Sequence, residues 1–173
     1  PRIYRGYSKK LFDEFIDGLK KTNIDGFLVR SAGEFDRVKD SEKEIAIDYS
    51  FNVFNSQAIE FWENQGANII TLSTELNLKE IKSIANIKCE TLFYGYIPLM
   101  VTHQCPIGSF DGGKVDKMFC KNKFHSEGYY LKDRKDVKFP LFTDCEQCVC
   151  NILNSKPLFT LKFFDEILDS STG

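Results

Sequence analysis

Short apolar runs return four times in the first half of the chain, beginning near residues 27, 45, 68 and 91, and a helical pattern separates each from the next. A strand–helix period of about twenty residues is the rhythm of successive βα units, whose strands lie parallel in one sheet. The fold class that follows is α/β. Phe27-Leu28-Val29-Arg30 is a continuous apolar run of the kind expected for a strand buried on both sides. Glu44–Tyr49, Asn68–Leu72 and Cys89–Tyr94 supply the second, third and fourth strands.

The helical segments carry their own start and stop signals. Ser8 is a candidate N-cap for residues 8–21, where Leu11, Phe12, Phe15, Ile16 and Leu19 recur on one face. A short helix is expected from about Ala32 to Val38. Asn55 can cap a helix that turns Ala58, Ile59 and Trp62 inward and stops at Gly66. Asn77, followed three residues later by Glu80, has the form of a capping box.

Four βα units are half of an eight-stranded barrel, which typically takes about 250 residues. With 173 residues, the chain is read as a half-barrel excised from a larger one, with a short open α/β sheet as the alternative. The start at Pro1 and the polar trail Ser170-Ser171-Thr172-Gly173 point the same way. Residues 1–100 are assigned to the βα units and 101–173 to an extension packed on them. A half-barrel leaves sheet edges open, so self-association of the piece is expected, as is pairing with the remaining half of the barrel in a full-length protein.

After Met100 the pattern changes. Residues 106–128 read as a loop, Tyr129-Tyr130-Leu131 and Val137–Phe142 flank Asp133-Arg134-Lys135-Asp136 as an antiparallel hairpin, and Pro140 suits an edge or a bulge. A last helix is expected from about Leu161 to Leu168. Five of the six cysteines and both histidines fall within residues 93–155, ending in Cys145-x-x-Cys148-x-Cys150. This is the densest set of chemically active side chains in the chain.

Charge excludes some classes of function. With 23 basic against 25 acidic residues, bulk electrostatics does not hold the chain to nucleic acid. A local basic and aromatic surface remains open, formed from Lys114, Lys117, Lys121, Lys123, Lys132, Arg134, Lys135 and Lys138 with Tyr129, Tyr130 and Phe139. Its bland counterpart is a solvated hairpin face. No apolar run reaches the roughly 18 residues of a spanning helix, and no secretory signal pattern opens the chain. No membrane association and a cytoplasmic location are expected. In that setting the cysteines read as thiols or metal ligands rather than a disulfide scaffold. Cys89, at a strand start, reads as a core residue.

In a parallel barrel the functional side chains stand at the C-terminal strand ends. Those positions hold Arg30, Asp48, Asn52, Ser73 and Glu75, followed by Tyr94 and His103. Glu75, Asp48 and His103 are the catalytic candidates; Arg30, Asn52 and Tyr94 are the substrate-binding ones. The plain alternative is that Asp48 and Asn52 brace turns and Glu75 neutralises Arg30. His103 and Cys105 are close in sequence, but no His-Glu-x-x-His or Gly-x-Ser-x-Gly motif supports a protease.

Several separate blocks carry a resemblance. Asp48–Asn55, Leu72–Asn77, Tyr94–Met100, Cys105-Pro106-Ile107-Gly108, Tyr130–Lys135 and Asn154-Ser155-Lys156-Pro157-Leu158 together resemble the C-terminal half of the collagenase-like peptidase family, over about residues 24–168. The resemblance implies a barrel with its site at the strand ends, and the family name implies a peptidase of unassigned catalytic type. Better understood relatives imply oxygen-independent hydroxylation of an RNA base or of a quinone precursor, with an iron–sulfur cluster on four cysteines and prephenate as oxygen donor. RNA or a small aromatic molecule is then the expected substrate, and Arg30 suits the carboxylate of prephenate.

Cys105, Cys120 and Cys145 sit where the resemblance places cluster cysteines. For the fourth, Cys148 is chosen because a Cys-x-x-Cys turn presents two sulfurs to one metal, with Cys150 and His125 as alternatives. The same set suits zinc, and reduced thiols or a disulfide are the plain alternative.

Overall fold

A computed structural model describes residues 9–110, 128–145 and 148–163. The chain divides into two compact units, one formed by Pro1–Leu92 with Thr160–Gly173 and the other by Phe93–Phe159.

In the first unit α1 (Lys9–Lys20), β1 (Gly26–Val29), α2 (Ala32–Val38), β2 (Glu44–Ile47), a 3-10 turn (Tyr49–Phe51), α3 (Ser56–Asn64), β3 (Ile69–Thr71), α4 (Leu78–Ile84) and β4 (Cys89–Glu90) follow one another. The strands lie in the order β1-β2-β3-β4, all parallel. The alternation seen in the sequence therefore becomes a parallel α/β sheet. Its helices begin where short polar side chains satisfy free N–H groups: Ser31 Oγ accepts from Glu34 N, Asn55 Oδ1 from Ala58 N, and Asn77 forms a reciprocal capping box with Glu80. Gly66, at φ 103°, follows α3 in a conformation that other residues resist. The expected cap Ser8 lies outside the described residues.

Register decides which side chains are buried. Val29, Ile47, Ile70 and Cys89 stand in one row across the four strands. With Ile45 and Leu72 the row's aliphatic members meet Ile16, Phe35, Val38 and Ile59 of the helices, and Trp62 packs edge-on against Phe35, Phe51 and Phe61. The opposite row, Leu28, Ala46 and Ile69, receives no helix among the described residues. Leu28 is 59% exposed, which corrects the expectation that β1 is buried on both sides. The strand lies at the edge of the sheet, and only its Phe27/Val29 side faces the core.

The second unit holds β5 (Tyr94–Gly95), β6 (Pro98–Thr102), α5 (Pro106–Phe110), β7 (Tyr130–Lys132), β8 (Lys138–Asp144), β9 (Val149–Leu153) and β10 (Leu158–Phe159). β6, β9, β8 and β7 form an antiparallel sheet in that order, and β5 pairs with β10. Three expectations change. The fourth parallel strand stops at Glu90, and Tyr94 belongs to a separate antiparallel pair. Residues 106–110 are helical rather than loop. The Cys145–Cys148 turn leads into a strand paired with both β6 and β8. Pro140 stands on an inner strand, opposite Tyr130 of β7 and one residue before the stretch of β8 that pairs with β9, so its missing N–H falls near the point where the ladder changes partner. Leu161–Phe163 is a 3-10 turn, and the rest of the expected last helix lies outside the described residues. Among the described residues no helix is long and apolar enough to cross a membrane.

One-sided burial makes three substitutions diverge. Ile70→Ala should cost about 2–5 kcal/mol as a fully buried aliphatic truncation, and Leu28→Ser should stay within about 0.5 kcal/mol. Gly26→Ala should cost about 1–3 kcal/mol, since a Cβ there would stand 2.5 Å from Glu44 O on the neighbouring strand. Urea denaturation measures all three; equal losses at Leu28 and Ile70 would mean that both faces are covered.

Candidate functional site

At the C-terminal end of the parallel sheet the next row after Val29, Ile47, Ile70 and Cys89 is Arg30, Asp48, Thr71 and Glu90, on the face that the helices leave open. Thr71 Oγ1 donates to Glu90 Oε1 at 2.5 Å across the two strands. Arg30 Nε lies 3.4 Å from Asp48 Oδ2. Asp48 is 5% exposed, and a buried carboxylate without a partner is costly. Ser50 Oγ lies 3.2 Å from the same Oδ2 and 2.9 Å from Arg30 O. The Arg30 backbone N–H donates to the buried Glu34 at 2.6 Å, which anchors the residue from the other side.

Because Nε is the atom that meets Asp48, the two terminal nitrogens of the half-exposed Arg30 remain for a ligand. A guanidinium edge of that kind suits a carboxylate. Asn52 serves the backbone: it closes the 3-10 turn at φ 52°, a left-handed conformation in which asparagine is favoured. Buried Ser73 holds the chain through its N–H to Val53 O at 3.0 Å, and its Oγ accepts from Glu75 N at 3.4 Å. The Glu75 side chain is exposed and makes no ion pair with Arg30 among the described residues. Arg30 and Asp48 are thus brought together, whereas Thr71 and Glu90 join them unannounced. Two-residue alternation from Ile69 would have pointed to Thr71.

In the second unit the thiols gather on one face of the antiparallel sheet. Thr102, Cys150 and Thr143 form a row across β6, β9 and β8. Cys145 follows two residues after Thr143 and packs with Ile107, Cys105, Tyr129 and Leu141. Cys105 stands just before α5, where its Sγ accepts from Gly108 N at 3.3 Å. Cys150 is 1% exposed. Burial pushes its thiol up to about 11, and negative charge on Cys105 and Cys145 pushes in the same direction. Cys150 stands opposite Thr143 on the sheet face that Cys145 continues two residues further on.

Cys148 is exposed and left-handed at φ 53°. Cys120 and His125 lie outside the described residues. The donor chemistry of Cys105, Cys145 and Cys150 fits a soft metal or an iron–sulfur cluster. Yet among the described residues no group of three or more His, Cys, Asp or Glu side chains is placed to hold a metal ion. The five described cysteines are free thiols. Cys89 is half-buried, and its thiol is raised chiefly by burial. His103 has a buried Nε2 without a hydrogen-bond partner among the described residues. Tyr94 is exposed and meets Phe159 edge-on across β5 and β10.

The family model for peptidase family U32 matches residues 3–171. No curated protein and no solved structure matches the chain.

The thiol layer implies an order of reactivity. Iodoacetamide on metal-free protein should modify Cys148 at least tenfold faster than Cys150, because the Cys150 thiol is buried and a thiol raised to about 11 holds little nucleophilic thiolate at pH 8. Peptide mass spectrometry over a time course reads this directly, and equal rates at the two positions would place Cys150 at the surface.

Proposed function

Because the chain belongs to peptidase family U32, we propose that it is part of a family enzyme that hydroxylates an RNA base or another aromatic ring and depends on an iron–sulfur cluster. The observation carrying this reading is the buried Cys150 opposite Thr143, on the sheet face that leads to Cys145, which packs with Cys105. We take Cys105, Cys120, Cys145 and Cys150 as the ligand set, with Cys150 preferred to Cys148 because it is buried on the sheet face that leads to Cys145, whereas Cys148 is exposed. A bound cluster would supply one-electron redox chemistry. The chain's own part is to shield Cys145 and Cys105 with Ile107 and Leu141 and to hold Cys150 on β9 beside the end of β8. Arg30, oriented by Asp48, would take a carboxylate such as that of prephenate. A reducing cytoplasmic setting belongs to this reading, as does a four-unit half-barrel that is completed by further chain or by a second copy.

The family name favours the alternative, a peptidase. Hydrolysis by thiol chemistry needs a cysteine beside a base, but the Cys105 sulfur meets the Gly108 N–H and His103 Nε2 meets no described partner. Zinc on the same thiolates is the other variant of the metal reading.

Anaerobic reconstitution followed by iron, sulfide and zinc analysis decides among these. Iron and sulfide should load in equal amounts, fall to background in Cys150→Ser, and persist in Cys148→Ser. Zinc without sulfide would favour the zinc variant. Loading of neither, together with gelatin hydrolysis lost in Glu75→Gln or His103→Ala, would leave the peptidase reading in its place. Sedimentation of the 173-residue chain should show self-association at micromolar concentration; a stable monomer would remove the open-edge argument.

A further inference from the structure

The antiparallel sheet of the second unit has a second face, and none of the thiol chemistry uses it. Side chains alternate, so with Cys150, Thr143 and Leu141 on the covered side, Asn151, Phe142 and Pro140 stand on the other. Tyr130 lies opposite Pro140, and Lys132 opposite Lys138. Phe142 is 65% exposed and Tyr130 48%. The two residues are diagonal neighbours on one face, a spacing within reach of aromatic side chains. Much of the surface of both rings is left in water.

Charge on the same face is arranged at a cost. Lys132 and Lys138 are directly opposed across the strands, a pairing that repels. Each finds partial relief elsewhere: Lys138 Nζ lies 4.3 Å above the Tyr130 ring, and Lys132 Nζ lies 2.6 Å from Asp136 in an exposed pair. Such surface pairs are weak and readily exchanged. Asp133, the other acid of the turn, is engaged by the backbone, its Oδ1 accepting from Lys135 N and Val137 N at 2.7 and 2.9 Å. Residues 130–138 carry four basic groups, Lys132, Arg134, Lys135 and Lys138, against these two acids. Asp144 is the acid at the far end of the face.

From this juxtaposition we infer that the Tyr130/Phe142 face of the antiparallel sheet binds single-stranded nucleic acid. Two unpaired bases stack on Tyr130 and Phe142, phosphates take the opposed Lys132 and Lys138, and the Asn151 amide beside Phe142 offers hydrogen bonds to a base edge. Stacking on aromatic rings with flanking cations is the general mode for single strands, and a flat exposed sheet gives it a platform. The inference deepens the reading above by placing a polymer on a defined surface. It rests on that reading only for the chemistry performed, because binding here requires no metal.

Fluorescence anisotropy of a labelled ten-nucleotide oligouridine, titrated with the 173-residue chain in the presence of chelator, is the test. Micromolar binding at low salt is expected, with Tyr130→Ala and Phe142→Ala each weakening it about tenfold. Lys132→Gln with Lys138→Gln should lower the salt slope of log K by about 1.4, the share of two phosphates on a single strand. All four side chains are exposed, so circular dichroism should be unchanged. Oligothymidine bound equally well would extend the ligand to single strands of either sugar; weaker binding would restrict it to RNA. No binding, or aromatic variants and lysine variants both indistinguishable from the parent, or a duplex bound as tightly as the single strand, would overturn the inference. Binding without iron loading, or loading without binding, separates its fate from that of the proposed function.

Discussion

One-sided packing of the parallel sheet is the constraint on which the first unit depends. Ile47 and Ile70 are fully buried beneath the helices, whereas Leu28 two strands away faces water. Apolar burial is the main favourable term in folding, and here it is spent on a single face. That leaves the other face free to carry polar groups at its C-terminal end. Arg30, Asp48, Thr71 and Glu90 share a row there, its buried members Asp48 and Thr71 each paired with a neighbour in it.

The electrostatics of that row follow from the same geometry. Asp48 sits where β2 leaves the sheet, buried and bonded through its N–H to Val29 O at 2.9 Å. Burying a carboxylate without a partner is costly, and Arg30 leaves the adjoining strand in the same row. The pair is therefore a consequence of parallel register before it is a feature of any site. Arg30 is useful to a ligand because satisfying Asp48 consumes only its Nε edge.

What could be read from the sequence was what local chemistry determines. Asn55, Asn77 with Glu80, and Gly66 mark helix ends because each acts on backbone groups within three or four residues of itself. Ser31 with Glu34 has the same form and went unread, although it fixes α2 and places Glu34 under Arg30. Non-local pairing was hidden. Tyr94 joins Phe159, and Met100 joins Ile152, across stretches of more than fifty residues, with nothing in either segment that names its partner. Leu28 misled for a related reason: a continuous apolar run reports composition, whereas burial depends on which neighbours the strand acquires.

The cysteines show the same limit at the scale of one residue. A Cys-x-x-Cys turn favours Cys148 when only spacing is known, but the turn ends with Cys148 left-handed and outward, and β9 begins immediately after it. Alternation along β9 then sends Cys150 toward Cys145 and Cys105 and sends Asn151 toward Phe142. Slipping the β9 register by one residue would exchange the two faces, exposing the thiol and burying the amide. Two ladders oppose such a slip, since β9 is bonded on both sides, to β6 and to β8. Covering Leu141 and Cys145 with Ile107 of α5 opposes it further, because a shifted strand would bring Asn151 into an apolar layer without a partner. The thiol layer and the aromatic–lysine face are thus two sides of one decision about register, and neither can be altered without disturbing the other.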